Sequence, residues 1–247
     1  IEQAILTKLK AEPFKYDILV CDADPSKRDD LNDGTGRTSK KECVLPGIML
    51  TALERINPTI PEDKIKEIVK ALRQDYTGTD IVDTNYKLYR QIRNNIKIAV
   101  RRNGKEDFDF VKLIDFEHPE NNTFTAVSQM WIQGKVYYRR PDILIFINGM
   151  PLVFIELKNS IVKVEEAYNK NLKDYIRDIP NLFAFNQICV LSNGLETKLG
   201  AFNATYDYFF EWLKIDSEKE KLDREAILSA ENVKDSSVRY FVDGLLN

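Results

Sequence analysis

The sequence has little cysteine, almost no histidine and no long apolar run. Its 3 cysteines, Cys21, Cys43 and Cys189, are far apart and odd in number. They match neither a disulfide framework nor a zinc-type spacing, so we expect a reducing, cytoplasmic setting. The single histidine, His118, excludes a metal site built from several histidines. No stretch approaches the roughly 18 apolar residues that span a bilayer, so we expect no membrane partner.

An excess of charge of one sign is also lacking, because 36 basic residues face 39 acidic ones and the net charge is −3. Any affinity for a polyanion must therefore come from a local patch. A composition of 43% apolar and 30% charged residues over 247 positions indicates a globular protein and excludes collagen-like or wholly disordered classes. No G-x-x-x-x-G-K-[ST] motif occurs, so we expect no Walker-type ATP site.

The first hundred residues have mainly helical spacing. Apolar periodicity predicts helices over 1–11, 46–57 and 61–73, with a capping box formed by Thr59 and Glu62. The polar, turn-rich segment 22–44 predicts a mobile loop. Residues 84–100 are predicted to be helical or mixed. They overlap a run of basic residues with no acidic one: Lys87, Arg90, Arg93, Lys97, Arg101, Arg102 and Lys105. This run is either a solvated face or a phosphate-contacting patch.

Beyond residue 104 the apolar pattern changes to a period of two, which is typical of strands. Strands are predicted over 108–116, 125–132, 142–147, 152–158 and 187–194, with a helix over 164–177, a strand or loop over 196–204 and an aromatic helix over 206–214. This order predicts an α/β fold, a mixed central β-sheet flanked by helices with a helical N-terminal elaboration. We divide the chain into an N-terminal helix and loop (1–44), a core (45–215) and a charged helical tail (216–247).

Residues 141–159 carry the chemistry. Asn148-Gly149 between two apolar strands predicts a β-hairpin. Glu156 and Lys158 are two apart on the second strand and therefore share a face. Asp142, at the start of the first strand, pairs directly with Glu156 only if the loop has an odd number of residues.

The simplest odd loop is Asn148-Gly149-Met150, after which Pro151 opens the second strand. A two-residue loop would place Asp142 and Glu156 on opposite faces. The expected register therefore decides whether two carboxylates converge.

Two carboxylates with a lysine can hold Mg²⁺ and position it against a phosphodiester, where the lysine orients water or stabilises negative charge. The structural alternative is a cross-strand ion pair without chemistry, which would be the better reading of an isolated E-x-K. A P-D-(13 residues)-E-x-K pattern on a predicted hairpin is much more specific.

This pattern resembles the PD-(D/E)xK nuclease superfamily. More narrowly, RRPDILIFINGMPLVFIELKN (139–159) resembles the nuclease segment of the restriction (R) subunit of type I restriction-modification enzymes. Three further segments resemble the same family in the same order: ALERINP (52–58), KLIDFEHPENNTF (112–124) and DIPNLFAFNQICVLSNG (178–194). The resemblance covers most of residues 45–213.

The resemblance implies site residues. Asp142 and Glu156 would be metal ligands and Lys158 the catalytic lysine. The family's Q-x-x-x-Y motif corresponds to Asn171 and Tyr175, where Asn replaces Gln and Tyr175 is either functional or a core aromatic.

Further candidates lie outside the hairpin and the helix that follows it. Related nucleases place a glutamate on an early helix, for which Glu2 and Glu54 are candidates here, although an exposed helix glutamate is the simpler reading of either. Lys135, Arg139 and Arg140 precede Asp142 and are candidates for phosphate contacts.

The function implied is Mg²⁺-dependent endonucleolytic cleavage of double-stranded DNA, with recognition supplied by methylation and specificity subunits. ATP and S-adenosylmethionine would serve the complete complex and not this fragment. The missing initiator Met and the unfinished tail fit a domain of a longer protein. The alternatives are another PD-(D/E)xK enzyme, such as a repair nuclease or resolvase, and a non-catalytic DNA-binding or docking module with the same fold.

Overall fold

The computed structural model describes residues 1–102, 105–211 and 242. Its helices are α1 (Glu2–Lys10), α2 (Pro46–Ile56), α3 (Glu62–Leu72), α4 (Ile81–Asn94), α5 (Val164–Glu166) and α6 (Lys173–Asp178). A π-helical segment, Ala167–Leu172, joins the last two into one continuous rod. Short 3₁₀ turns lie at Pro25–Lys27, Pro119–Asn121, Pro180–Ala184 and Tyr206–Tyr208. None of the described helices is both long and apolar enough to span a bilayer.

Most of the described strands follow α4 in the chain. They are β1 (Asp17–Val20), β2 (Ile96–Arg102), β3 (Lys105–Val111), β4 (Phe124–Ser128), β5 (Ile132–Gln133), β6 (Tyr138–Arg139), β7 (Ile143–Ile147), β8 (Met150–Leu157), β9 (Ile188–Ser192), β10 (Thr197–Gly200) and β11 (Phe210–Glu211). Seven of them form one sheet in the order β1-β4-β7-β8-β9-β10-β11. The β1–β4 and β8–β9 pairs are parallel and the others antiparallel. The predicted α/β fold with a mixed sheet flanked by helices is confirmed.

Alternating side chains of the central strands supply one apolar cluster on each face of the sheet. On one face Ile143, Ile145 and Val153 pack in a cluster that includes side chains of α1, α2 and α3. On the other face Leu144 and Phe154 pack in a cluster with the helical rod that begins at α5. This alternation buries both faces of β7 and β8, which explains their nearly continuous apolar sequence.

The loop of the β7–β8 hairpin is shorter than predicted. Ile147 pairs with Met150, so the turn contains only Asn148 and Gly149, both at positive φ (50° and 76°). These angles suit the two-residue turns that match strand twist. The three-residue loop predicted from the sequence, with Pro151 as the first strand residue, is therefore wrong.

A β-bulge nevertheless restores the predicted pairing near the site. Phe146 pairs with Pro151, but Ile145 pairs with Val153, so Leu152 is the extra residue in β8. An extra residue on one strand shifts the pairing register by one position. Beyond the bulge Ile143 pairs with Ile155, and the next step of the same register sets Asp142 opposite Glu156.

Two other predictions are wrong. Residues 206–211 form a 3₁₀ turn followed by the edge strand β11, not the start of an aromatic helix. The predicted capping box fails because α3 begins directly after Pro61, and no side chain caps its first turn. The remainder of the predicted aromatic helix and nearly all of the predicted tail, 216–247, lie outside the described residues.

The predicted loop 22–44 contains a buried ionic cluster. Arg37 Nη2 and Lys40 Nζ lie 2.8 and 2.7 Å from the same Asp33 oxygen, and all three side chains are almost fully buried. Cys21, Cys43 and Cys189 are free and buried. The mobility of this loop stays a prediction.

Gly149 provides a stability test of the tight turn. Its φ is +76°, and an added Cβ would lie 2.6 Å from the Leu45 carbonyl oxygen at the start of α2. We expect Gly149→Ala to lower the free energy of unfolding by about 2–4 kcal/mol, because it combines a left-handed backbone with a clash. Urea unfolding of the chain measures this.

Gly47, in the first turn of α2, is the matched control. An added Cβ there meets nothing within 4 Å. Gly47→Ala should therefore raise the free energy of unfolding by about 0.5–1 kcal/mol. Equal effects of the two substitutions would contradict the described turn.

Candidate active site

Three predicted residues meet at the end of the β7–β8 hairpin that lies away from its turn. Asp142 directly precedes β7, Glu156 lies near the end of β8, and Lys158 follows β8. They adjoin a cleft of about 400 Å³ lined by Ile1, Glu2, Asp142, Leu157, Lys158, Asn159 and Ser160. Glu156 does not line the cleft itself and is joined to it by its 3.2 Å contact with Lys158 Nζ.

Glu156 is a buried carboxylate with one satisfied oxygen. Its side chain is 3% exposed, and Oε1 lies 3.2 Å from Lys158 Nζ and accepts a 2.6 Å hydrogen bond from Asn171 Nδ2. Oε2 is buried, and no hydrogen bond to it is formed by any described residue. Burial, followed by the nearby charge of Asp142, raises the pKa of Glu156 to about 8. The apolar setting therefore favours the protonated form unless a cation is bound.

Asp142 is fixed in place by backbone and side-chain donors. Its Oδ2 accepts a 2.7 Å hydrogen bond from the Leu157 backbone N–H, and its Oδ1 lies 3.5 Å from Gln129 Nε2. Burial raises the pKa of Asp142 above its usual range, while the Leu157 bond and the Lys158 charge oppose the shift. The two carboxylates thus titrate as a coupled pair.

Gln129 connects Asp142 to a third carboxylate and was not predicted. Its Nε2 donates to both carboxylate oxygens of Glu2, at 3.0 and 2.9 Å. Gln129 has a φ of +58°, and its backbone N–H donates to the Asp142 carbonyl at 3.0 Å. A non-glycine residue at positive φ is strained and is often found where a side chain must be aimed. Glu2, one of the two predicted early-helix carboxylates, therefore lies in the cleft.

The helical rod that packs on this face of the sheet supplies an amide and a phenol. Asn171 lies in the π-helical segment and donates to Glu156, while the Tyr175 hydroxyl donates to the Arg140 carbonyl at 3.0 Å. Burial, followed by Glu156, raises the pKa of Tyr175 far above its usual range, so the hydroxyl stays a donor. The shorter Asn therefore still reaches the carboxylate, and π-helical segments of this kind are frequent at functional sites.

The donor set fits a hard cation held by two carboxylates. Within 1–102, 105–211 and 242, no three His, Cys, Asp or Glu side chains come together as a metal-binding group. Mg²⁺, however, needs only one or two carboxylates and completes its shell with water and substrate phosphate. The unsatisfied Oε2 of Glu156 is a buried acceptor of the kind that such a cation would satisfy.

The remaining predicted residues lie outside the cleft. Glu54 lies on α2, whose start contacts the β7–β8 turn at the opposite end of the hairpin; Leu45 N–H donates to the Gly149 carbonyl at 2.9 Å. Lys135 is exposed in the β5–β6 loop. Arg139 differs, because its Nε lies 2.8 Å from Asp178 Oδ2 and its Nη2 lies 3.2 Å from Asp174. Those carboxylates already neutralise its charge, and its phosphate contact stays a prediction.

The basic run lies on α4 and on the separate β2–β3 ribbon, near the turn end of the β7–β8 hairpin. Asn85 of α4 donates to the backbone of Phe183 and Asn186, which precede β9. The exposed residues of the basic run are Lys87, Arg90, Arg93, Lys97, Arg101 and Lys105. The side chain of Arg102 is not among those that the structure describes. Their part in DNA binding stays a prediction, on a surface apart from the cleft.

A mixed sheet flanked by helices, with this carboxylate-bearing hairpin at its centre, has the architecture of an α/β PD-(D/E)xK nuclease core. Comparison with known families specifies it further. The chain belongs to the family "Type I restriction enzyme R protein N terminus", whose sequence profile matches residues 1–208. The resemblance noted in the sequence is therefore confirmed.

Two curated relatives are similar to the chain over most of its length. It is 33% identical over 199 residues to the type I restriction enzyme HindI endonuclease subunit of Haemophilus influenzae, covering 79% of this chain and 18% of the relative. It is 32% identical over 214 residues to the putative type I restriction enzyme MjaIXP endonuclease subunit of Methanocaldococcus jannaschii, covering 83% and 20%. The chain thus spans about a fifth of the length of these relatives.

Proposed function

We propose that the chain is the DNA-cleaving domain of a type I restriction enzyme and hydrolyses phosphodiester bonds of double-stranded DNA in the presence of Mg²⁺. The single observation that carries the proposal is the convergence of Asp142, buried Glu156 and Lys158 at one cleft, with an unsatisfied oxygen on Glu156. A purely structural ion pair explains the Lys158 contact. It does not explain why a second carboxylate and an unpaired buried oxygen lie beside it.

Asp142 and Glu156 would hold the cation. When bound, Mg²⁺ lowers the pKa of a coordinated water and screens charge on the phosphodiester. The protein supplies the orientation: the Leu157 N–H and Gln129 fix Asp142, and Asn171 fixes Glu156.

Lys158 supplies a positive charge to the lining of the cleft. Its side chain is 23% exposed, and Nζ contacts Glu156 from the solvent side. In that position the ammonium can donate to the attacking water or to a phosphate oxygen on which negative charge develops. Its backbone N–H donates to the Ser192 carbonyl at 2.7 Å, which fixes the point from which the side chain extends.

The rest of the enzyme would supply what this domain lacks. The relatives are named as endonuclease subunits, and we propose that methylation and specificity subunits select the DNA site in the cytoplasm. ATP and S-adenosylmethionine would act elsewhere in that complex. The cleft itself contains no groove-reading element, so cleavage should show little sequence preference of its own.

The proposal is tested by Asp142→Ala in the full-length subunit assembled with its partners. We expect double-strand cleavage in Mg²⁺ to fall at least about 10³-fold, because removing a ligand and its charge disables the metal site. The matched control is Glu54→Ala, which removes a carboxylate outside the cleft and should leave cleavage within about twofold of wild type. Undiminished cutting by the Asp142 variant would refute the assignment, and a wild type that binds DNA but never cuts would favour the docking-module alternative.

A further inference from the structure

Two neighbouring arginines just before Asp142 have different environments. Arg139 is bound by the carboxylates of Asp174 and Asp178. Arg140 is partly buried, and among the residues that the structure describes no carboxylate pairs with its guanidinium. A guanidinium without a counter-charge is available to pair with an anionic ligand.

An aromatic ring, not a carboxylate, supports the Arg140 side chain. Its guanidinium carbon lies 5.3 Å from the centre of the Trp131 ring. A cation stacked on an indole uses the face of the guanidinium and leaves its in-plane N–H donors available. The support is itself fixed, because Trp131 Nε1–H donates to the Asp22 carbonyl at 3.0 Å.

The same residue is tied to the cleavage site through its backbone. The Tyr175 hydroxyl, on the helical rod that also carries Asn171, donates to the Arg140 carbonyl at 3.0 Å. Only Pro141 separates Arg140 from Asp142 in the chain. The Arg140 backbone is therefore held in place two residues before the proposed metal ligand.

We propose that Arg140 binds the DNA phosphate next to the phosphate whose bond is cleaved. Trp131 is a positioning residue that orients the Arg140 side chain. This inference rests on the proposed function and deepens it by assigning a substrate contact. A guanidinium with an unblocked edge matches two oxygens of a phosphate in a bidentate pair. Phosphate is also the group that every DNA sequence presents, which suits a nuclease domain without sequence readout of its own.

The test compares the two arginines in the full-length subunit assembled with its partners. Single-turnover cleavage of DNA is measured in Mg²⁺ over a series of salt concentrations. For Arg140→Ala we expect a rate about 10- to 100-fold lower, the cost of losing a charged hydrogen-bond partner. We also expect the slope of log rate against log salt to become shallower by about 1, because one phosphate contact is lost. Arg140→Lys should retain the slope and recover part of the rate, since lysine keeps the charge but neither stacks nor binds in a bidentate manner.

Arg139→Ala is the matched control, because it removes an equal charge that is already neutralised within the protein. Its salt slope should equal that of wild type even if its thermal stability falls. Trp131→Phe should cleave close to the wild-type rate, whereas Trp131→Ala should lose about three- to tenfold, within the range of a cation–π contact. Thermal unfolding of each variant verifies folding. If Arg140→Ala is unstable, the rate and salt slope of Arg140→Lys decide whether Arg140 contacts a phosphate.

An unchanged rate and salt slope for Arg140→Ala would overturn the assignment, as would a changed slope for Arg139→Ala alone. Either result is distinguishable from failure of the proposed function. The proposed function fails if wild type does not cut DNA, or if Asp142→Ala cuts it normally. If wild type cuts and Asp142→Ala does not, only the Arg140 assignment is in question.

Discussion

Lys158→Ala is expected to reduce DNA cleavage about 10²- to 10⁴-fold while metal binding is retained, the range typical of losing one group that stabilises transition-state charge. The physical reason is that Lys158 contacts Glu156 from the solvent side at 3.2 Å and is not itself an oxygen ligand. Asp142 and Glu156 remain to hold Mn²⁺ or Mg²⁺. Single-turnover cleavage measures the first effect, and calorimetric titration with Mn²⁺ measures the second.

Lys170→Ala is the matched control for this prediction. Lys170 lies on the neighbouring helical rod and forms an exposed i,i+4 pair with Glu166 at 2.6 Å. Removing an exposed pair changes stability by about 0.5 kcal/mol at most and should leave cleavage unchanged. If Lys158→Ala and Lys170→Ala cleave DNA equally well, Lys158 has no catalytic role. A Lys158 variant that no longer binds Mn²⁺ would assign it to support of the ligands instead.

Glu156→Gln is expected to abolish cleavage and, at pH 8 without divalent cation, to raise the free energy of unfolding by on the order of 2 kcal/mol. The cause is burial, which with the charge of Asp142 raises the pKa of Glu156 to about 8 in the folded chain, from an ordinary value of 4.5. Between about pH 4.5 and pH 8 the folded wild type therefore keeps a proton on Glu156 that the unfolded chain has already released. Wild-type stability falls as pH rises through that window, whereas the neutral amide removes this dependence. The gain should therefore vanish near pH 4.5.

Mg²⁺ provides the second half of this experiment. A cation that binds only the folded state stabilises it, and it should do so for wild type but not for Glu156→Gln. Denaturant unfolding is measured at pH 5 and pH 8, with and without Mg²⁺ at about 10 mM, a concentration at which weak carboxylate sites fill. The four conditions separate the pH dependence of stability from the stabilisation by Mg²⁺. Glu54→Gln is the control and should change stability by less than about 0.5 kcal/mol at either pH. Wild-type stability that is flat from pH 5 to pH 8 would show that Glu156 is not buried as described.

The sequence was sufficient to predict the fold class and the β7–β8 hairpin, because local periodicity and a two-residue turn signal determine both. The strands 142–147 and 152–158 alternate or run apolar as buried strands do, and Asn148-Gly149 marks the turn between them. The helix over 164–177 was also predictable from apolar spacing, although its π-helical centre was not. One inserted residue per turn leaves almost no trace in an apolar pattern.

The hairpin illustrates why a correct conclusion can follow from a wrong loop. Setting Asp142 opposite Glu156 needs one unpaired residue, which was predicted to be the third residue of an odd-numbered loop. The odd residue, however, is the bulged Leu152 and not a third loop residue. Bulges depend on tertiary packing of the bent strand, which no local signal contains.

Gln129 was missed because its role depends on a long-range pairing. Ser128 pairs with Ile143, so the residue after β4 necessarily lies beside the residue before β7. Had the β4–β7 pairing been predicted, Gln129 would have been placed next to Asp142. The helix predicted for the aromatic segment 206–211 was wrong for a related reason. Its pattern suits a helix, but Phe210 pairs with Leu199 and adds the segment to the sheet edge instead. Tertiary contacts here override local preference.

The bulge at Leu152 has a consequence for how this hairpin can vary among related proteins. Side chains in a strand alternate with a period of two, so a single insertion or deletion between the bulge and Glu156 would turn the carboxylate to the other face of the sheet. Changes of two residues would preserve the face. Loss of the bulge together with one added turn residue would preserve it as well. Length differences across this segment should therefore occur in even steps or as compensated pairs, a parity rule imposed by a single unpaired residue.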